Sequence, residues 1–310
     1  MSSPQQVAAA IRTAVATTVR GKAQAIDLSL ATLLAGGHLL VEDVPGTGKT
    51  LLAKSLAAAI GGQFGRVQCT PDLLPTDLTG TSVFRPDSGE WQFRAGPVFS
   101  NVLLVDEINR ASPRTQSALL QPMEEHQVTI DGTTWPLPSP FICIATQNPF
   151  GQVGTFPLPE SQLDRFALVL SVGLPDRQAE KEIVTGAGGV DLLGKIQPVT
   201  HPQEVADAIT ATSELYCNDA VIDYILDLAE ATRVEARLSQ GVSPRASSSL
   251  LRLAQGHAAV AGRDYVTPDD VQAVFVAAFA HRVMVADRVD TAAATQVLAW
   301  MLTQARVPRV

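Results

Sequence analysis

The segment spanning residues 38–60, HLLVEDVPGTGKTLLAKSLAAAI, limits the fold of this chain more than any other. HLLVE reads as a short buried strand and KTLLAKSLAAAI as a helix, with Gly46-Thr47-Gly48-Lys49-Thr50 between them. Strand, glycine loop and helix in that order form the setting of a phosphate-binding loop. Glycines let the backbone approach phosphate oxygens and aim N–H groups at them. The start of the following helix favours an anion. In this reading Val44, Pro45, Gly46, Thr47, Gly48, Lys49, Thr50 and Leu51 surround the phosphates of ATP. Lys49 neutralises the β- and γ-phosphates and Thr50 ligates Mg2+. The usual spacing G-x-x-x-x-G-K-[ST] asks for glycine at position 43, where this chain has Asp43. Asp43 stands at the strand exit, before the glycines that touch phosphate, and aspartate tolerates unusual backbone angles. Its carboxylate has to point away from the phosphates, or repulsion opposes binding.

Four further apolar runs read as strands: GRVQC (65–69), NVLLVD (101–106), PFICIAT (140–146) and FALVLSVG (166–173). Helical stretches such as SPRTQSALLQPMEEH separate some of them. That alternation predicts an α/β fold with a mostly parallel sheet covered on both faces. Two hairpins are expected as insertions, near 82–94 and 127–137, turning at Pro86-Asp87-Ser88-Gly89 and at Asp131-Gly132. Ala-rich helices are expected over 4–18 and 22–35. From about residue 190 the character changes. KIQPVTHPQE is linker-like, and helices are expected at 201–213, 218–236, 244–261, 267–285 and 291–303. TPDD at 267–270 has the form of an N-cap with proline just inside and acids in the first turn. The division is therefore an α/β core over 1–190 and an all-helical domain over 191–310.

NVLLVDEINR supplies the second half of a nucleotide site. Asp106, at a strand end, would hold Mg2+ through water, and Glu107 would polarise the attacking water. An acidic pair at a strand end is otherwise a common solvated feature. FICIATQNP ends at Asn148, whose amide could reach the γ-phosphate and the water; the same Asn-Pro is also an ordinary strand-end turn. Arg165 and Arg245 carry rigid, always-charged forks suited to γ-phosphate contact. Lone arginines more often form surface ion pairs.

Hydrophobic residues make up 46% of the 310, enough for a substantial core. With 23 basic and 31 acidic side chains the formal charge is −8. That balance opposes general nucleic-acid binding, and with it helicase or clamp-loader action. Cys69, Cys143 and Cys217 show no paired spacing, which fits a reducing compartment. The five histidines show no ligand spacing. The N-terminus lacks the basic-then-apolar pattern of a signal peptide, and no apolar run is long enough to span a membrane. A soluble, cytoplasmic protein is expected.

DVPGTGKT, VQCTPDLLPTDLTG, GPVFSNVLLVDEINRASPRTQSALLQPMEEHQVTIDG, PFICIATQNP and GTFPLPESQLDRF together closely resemble the MoxR-type AAA+ ATPases, over nearly the whole chain. Asp at the first loop position is familiar in that group. The resemblance implies a P-loop AAA+ core with a five-stranded sheet and a small all-α lid. It implies that Lys49 and Thr50 belong to Walker A and Asp106 and Glu107 to Walker B. Asn148 matches sensor one, and Arg245 in SPRA matches the sensor-two arginine acting on its own subunit's nucleotide. Arg165 in LDRF matches the arginine finger reaching a neighbouring subunit's ATP, and Arg110 would lie near that interface. VRGKAQAI, with Gly21, resembles the adenine-side segment, with Lys22 where glutamine is usual. The hairpins correspond to insertions near the pore. Members form ring homo-oligomers, often hexamers. They act as chaperones that assemble or activate client proteins, often ones with a von Willebrand factor A domain. Two alternatives stay open: an ATP-gated scaffold with negligible turnover, and a chelatase-like motor subunit driving metal insertion into a tetrapyrrole.

Overall fold

All five apolar runs become parallel strands of one sheet, in the order β2-β5-β8-β1-β9. The computed structural model describes residues 2–44, 46–148, 154–185, 190–286 and 289–309. Helices α1 (Pro4–Ala16) and α2 (Ala23–Leu34) lead into β1 (Leu39–Glu42), and α3 (Lys49–Ala59) leads to β2 (Phe64–Gln68). A short α4 (Pro75–Thr79) opens the ribbon β3 (Gly80–Arg85) and β4 (Glu90–Ala95). Strand β5 (Val102–Asp106) is followed by α5 (Pro113–Ser117), α6 (Leu120–Glu125) and the ribbon β6 (Gln127–Ile130) and β7 (Thr133–Pro136). Then come β8 (Ile142–Gln147), α7 (Glu160–Leu163), β9 (Leu168–Leu170), α8 (Arg177–Val184) and α9 (Val190–Leu193). The chain finishes in α10 (Pro202–Ser213), α11 (Asp219–Val234), α12 (Pro244–Val260), α13 (Pro268–Phe279) and α14 (Thr291–Gln304).

The strands carry apolar side chains on both faces because helices cover both faces. Leu39, Val41, Leu104 and Ile144 join one apolar cluster, and Leu40, Leu103, Val105 and Cys143 join the other. Register is parallel throughout: Leu39 pairs with Ile144 on one side and Leu168 on the other, and Leu104 pairs with Ile144. Because every strand points the same way, the segments following β1, β5 and β8 meet at one edge of the sheet. The residues preceding β1 and β9 meet at the opposite edge.

Both expected hairpins are antiparallel ribbons outside the sheet. They lean on each other: Phe93 stacks on Trp135 with centroids 4.7 Å apart, and Ser82 Oγ donates to Asp131 Oδ2 at 2.8 Å. Phe84 and Trp91 remain exposed on the first ribbon.

Several helix ends differ from the periodicity reading. The first helix stops at Ala16, where the Thr17 and Thr18 hydroxyls bond back to the carbonyls of Ala14 and Val15. The helix expected to reach 285 stops at Phe279, because His281 and Arg282 turn inward onto the strand side. His281 Nε2 bonds Phe166 O at 2.8 Å, and Arg282 Nε donates to Asp164 Oδ1 at 2.8 Å. Helix α8 was not among the helices expected; Asp176 caps it by accepting from Ala179 N at 2.8 Å.

The helical part shares its core with the α/β part. One apolar cluster runs from Leu30 and Leu39 through Leu250 and Leu253 to Phe275 and Leu298. Helix α12 crosses α2 so closely at Gly256 that a Cβ there would lie 2.2 Å from Ala31 O. The obstacle is backbone and cannot swing aside. Gly256→Val should therefore destabilise the protein by about 1–3 kcal/mol, as overpacking does. A urea midpoint equal to wild type would show that the two helices part easily.

Candidate functional site

Beyond β1 the chain turns through Gly46 (φ 88°) and Gly48 (φ 95°) before α3 begins at Lys49. Only glycine takes such left-handed angles without steric cost. A Cβ at either glycine would meet no atom within 4 Å, so the loop encloses open space. No side chain caps the start of α3. Its first N–H groups are thus available to an anion. The Lys49 Nζ lies across the loop, donating to Asp43 O at 2.8 Å and Val44 O at 3.0 Å. The Asp43 carboxylate turns to the segment after β9, where its Oδ2 accepts from Gly173 N at 2.8 Å. Pro45 lies outside the described residues.

Asp106 ends β5, and its Oδ2 accepts from Arg66 Nε at 2.8 Å. Glu107 follows in a left-handed conformation (φ 54°, ψ 51°), and its Oε2 accepts from Arg110 Nη1 at 2.9 Å. Such an angle in a non-glycine residue costs of order 1–3 kcal/mol and persists only where neighbours enforce it. Thr146 on β8 does so. Its Oγ1 accepts from Glu107 N at 3.0 Å and donates to Asp106 Oδ1 at 3.4 Å. The sequence reading passed over Thr146; its signal is a hydroxyl at the end of the otherwise apolar FICIAT. Asn148 stands one residue past β8, beside the loop, because Asp43 N donates to Gln147 O at 3.3 Å.

Lys49, Thr50, Asp106, Glu107 and Asn148 thus follow the ends of three neighbouring strands. Strands β1 and β5 flank β8, about 10 Å apart at ordinary strand spacing. An open glycine cradle, an uncapped helix start and a lysine fit a triphosphate. The Thr50 hydroxyl and the Asp106 carboxylate are oxygen ligands of the kind Mg2+ takes.

Beside this edge lies a cavity of about 580 Å³, lined among others by Gly21, Lys22, Glu42, Val172, Ala277 and Thr291. Lys22 donates from Nζ to Gly173 O at 2.9 Å and to Leu174 O. Lysine at this position thus ties down the segment that holds Asp43. Burial raises the Glu42 carboxyl above the usual range, against the opposing hydrogen bonds from Gln147 and Thr291.

Arg165 and Arg245 stand elsewhere. Ala167 N donates to His38 O at 2.9 Å, joining the residues that precede β9 and β1. At that edge Arg245 Nη1 donates to Glu124 Oε1 at 3.1 Å, and Arg165 pairs through Nη1 with Glu124 Oε2. Asp164 Oδ2 lies 3.7 Å from Arg245 Nε. Burial, and then the nearby Arg245, lowers the pKa of Arg165. The length of β1, about 10 Å at the usual rise per residue, separates this edge from the glycine loop. The expected contact of Arg245 with the nucleotide of its own chain would have to span that distance from its present place beside Glu124 and Asp164. Helix α12 starts beyond the end of α2, and Arg245 shares a cavity with Ala35, Gly36 and His38.

Comparison with known proteins follows the same outline. The profile of the "ATPase family associated with various cellular activities (AAA)" matches residues 38–168, and that of the "AAA lid domain" matches 230–299. Chaperone MoxR1 of Mycobacterium tuberculosis is 41% identical over 283 residues, 85% of this chain and 72% of that protein. The uncharacterised YeaC of Bacillus subtilis is 44% identical over 264 residues, 85% and 82% of the two chains. Protein MoxR of Paracoccus denitrificans is 32% identical over 289 residues, 86% of this chain and 85% of that protein. A candidate ATPase from Cytophaga hutchinsonii, solved at 2.00 Å, superposes with a TM-score of 0.88 at 34% identity, covering 99% of this chain and 96% of that one.

Proposed function

Because the chain belongs to the MoxR-type AAA+ ATPases, we propose that it hydrolyses ATP at a site completed by a second chain, and uses the cycle to remodel a client protein. The observation that carries this reading is the placement of the phosphate loop and the arginine pair at opposite edges of one sheet. The loop and the cavity beside Gly21 and Lys22 bind the nucleotide. Lys49 leaves the carbonyls of Asp43 and Val44 for the β- and γ-phosphates. Thr50 and Asp106 would hold Mg2+, which would supply charge neutralisation on the phosphate oxygens. The Glu107 carboxylate accepts the proton of the attacking water, with Thr146 fixing its backbone and Asn148 orienting the water. Arg165 and Arg245 of a neighbouring chain reach the γ-phosphate from outside, where the developing charge needs them.

Such chains assemble as a ring homo-oligomer, a hexamer by resemblance to the family. The exposed Phe84 and Trp91 of the leaning hairpins offer the client an apolar grip. The relative named Chaperone MoxR1 favours a remodelling role, and a client with a von Willebrand factor A domain is the one the family resemblance suggests. No helix among the described residues is long and apolar enough to cross a membrane. We place the cycle in the cytoplasm, where ATP is plentiful and the three free cysteines stay reduced.

Phosphate release with Mg2+ tests the reading. Activity per chain should rise with chain concentration and then level off. Constant activity per chain would remove the second chain from the site, and no release under any condition would favour the ATP-gated scaffold.

A further inference from the structure

The cavity at the arginine edge, about 240 Å³, gathers Arg165, Arg245, Arg252 and Arg282 against only two carboxylates, Glu124 and Asp164. In a chain of net charge −8 such a local excess of positive charge marks the seat of an anion. The two carboxylates serve different ends. Asp164 holds Arg282, which also donates to Phe166 O and Ala167 O and fixes the helical part to the sheet. Glu124 alone bridges Arg165 and Arg245, one oxygen to each.

We propose that Glu124 is the counter-ion of the arginine pair in the separate chain, and that the triphosphate of a neighbouring chain displaces it when the shared site forms. This rests on the two-chain reading above and adds to it a positioning residue, with a consequence at a distance. Glu124 lies in the last turn of α6, and α6 is bound to the second hairpin. Thr129 N donates to Gln121 Oε1 at 3.2 Å, and Gln121 Nε2 donates to Thr129 Oγ1 at 3.2 Å. At the joint His126 takes a left-handed angle (φ 51°), and its carbonyl accepts from Leu137 N at 2.9 Å. The hairpin in turn stacks Trp135 on Phe93 of the first ribbon. Release of Glu124 therefore removes one tie on the last turn of α6, whose Pro122 and Met123 stay in the core, and lets that turn and the ribbons joined to it shift together. Arrival of a neighbour's nucleotide is transmitted to the exposed aromatic surface through one carboxylate.

The test compares wild type, Glu124→Gln and Arg165→Ala. Phosphate release is measured against chain concentration. Amide exchange of residues 127–136 is followed in a Glu107→Gln background with and without Mg-ATP. Without the competing carboxylate, half-activation should occur at a chain concentration about two- to fivefold lower, the size of one partly exposed ion pair. Hairpin amides of the Glu124→Gln chain should exchange without nucleotide as those of the Glu107→Gln parent do only with it. An unmoved or raised half-activation, or a hairpin that still responds as in the parent, overturns the proposal. Should Glu124→Gln fail to fold, Glu124→Asp, with its carboxylate one methylene short of both arginines, is expected to shift half-activation the same way by less; no shift counts against the idea. If Arg165→Ala leaves release unchanged, the two-chain reading itself falls. A silenced Arg165→Ala beside an unmoved Glu124→Gln removes the counter-ion role alone.

Discussion

Glu107→Gln should bind ATP as tightly as wild type and release phosphate about 10²–10⁴-fold more slowly, the usual contribution of a positioned base. The substitution keeps the size of the side chain and the hydrogen bond from Arg110, so the loop and the left-handed turn at 107 stay in place. Only the negative charge that draws the proton from water disappears. Binding of a fluorescent ATP analogue and phosphate release, measured on the same preparation, separate the two effects. Equal turnover in mutant and wild type would reject Glu107 as the activator. Lost binding would instead mean that its charge holds the loop together.

Arg165→Ala should lower turnover by about 10³–10⁵, the range for an arginine supplied to a phosphoryl transfer from outside. The chain would keep its own phosphate loop intact. Lys49→Ala chains have the complementary defect, with arginines present and the loop disabled. Mixing the two should restore part of the activity, because some sites then combine an intact loop with an intact arginine pair. Arg245→Ala should behave in the same way in mixtures, since both arginines share Glu124 at one edge. No recovery at any ratio, in assemblies shown to mix, would confine each arginine to its own chain.

What the sequence disclosed and what it hid follow from how local each feature is. The phosphate loop was legible because strand, glycines, lysine and helix are contiguous, and the left-handed angles at Gly46 and Gly48 are properties of those residues themselves. Asp106 and Glu107 were legible because an apolar strand ends on them. The hairpins announced themselves through turn chemistry at Gly89 and Gly132. The edge at which Arg245 stands was not legible. It depends on the path of α12 over α2, set by the contact of Gly256 with Ala31, residues far apart in the chain. Thr146 was hidden for a related reason: its partners Asp106 and Glu107 reach it only through strand pairing. The inward turn of His281 and Arg282 breaks a helix that periodicity alone would have continued.

Placing donor and acceptor halves at opposite edges of one sheet restricts the symmetry of any assembly. A twofold axis can join the loop of one copy to the arginine pair of another only where both lie within one self-complementary patch. The ring proposed above instead repeats one heterologous contact, the front of each copy meeting the back of the next. A closed circle then makes every copy productive, whereas an open row leaves one idle loop and one idle arginine pair at its ends.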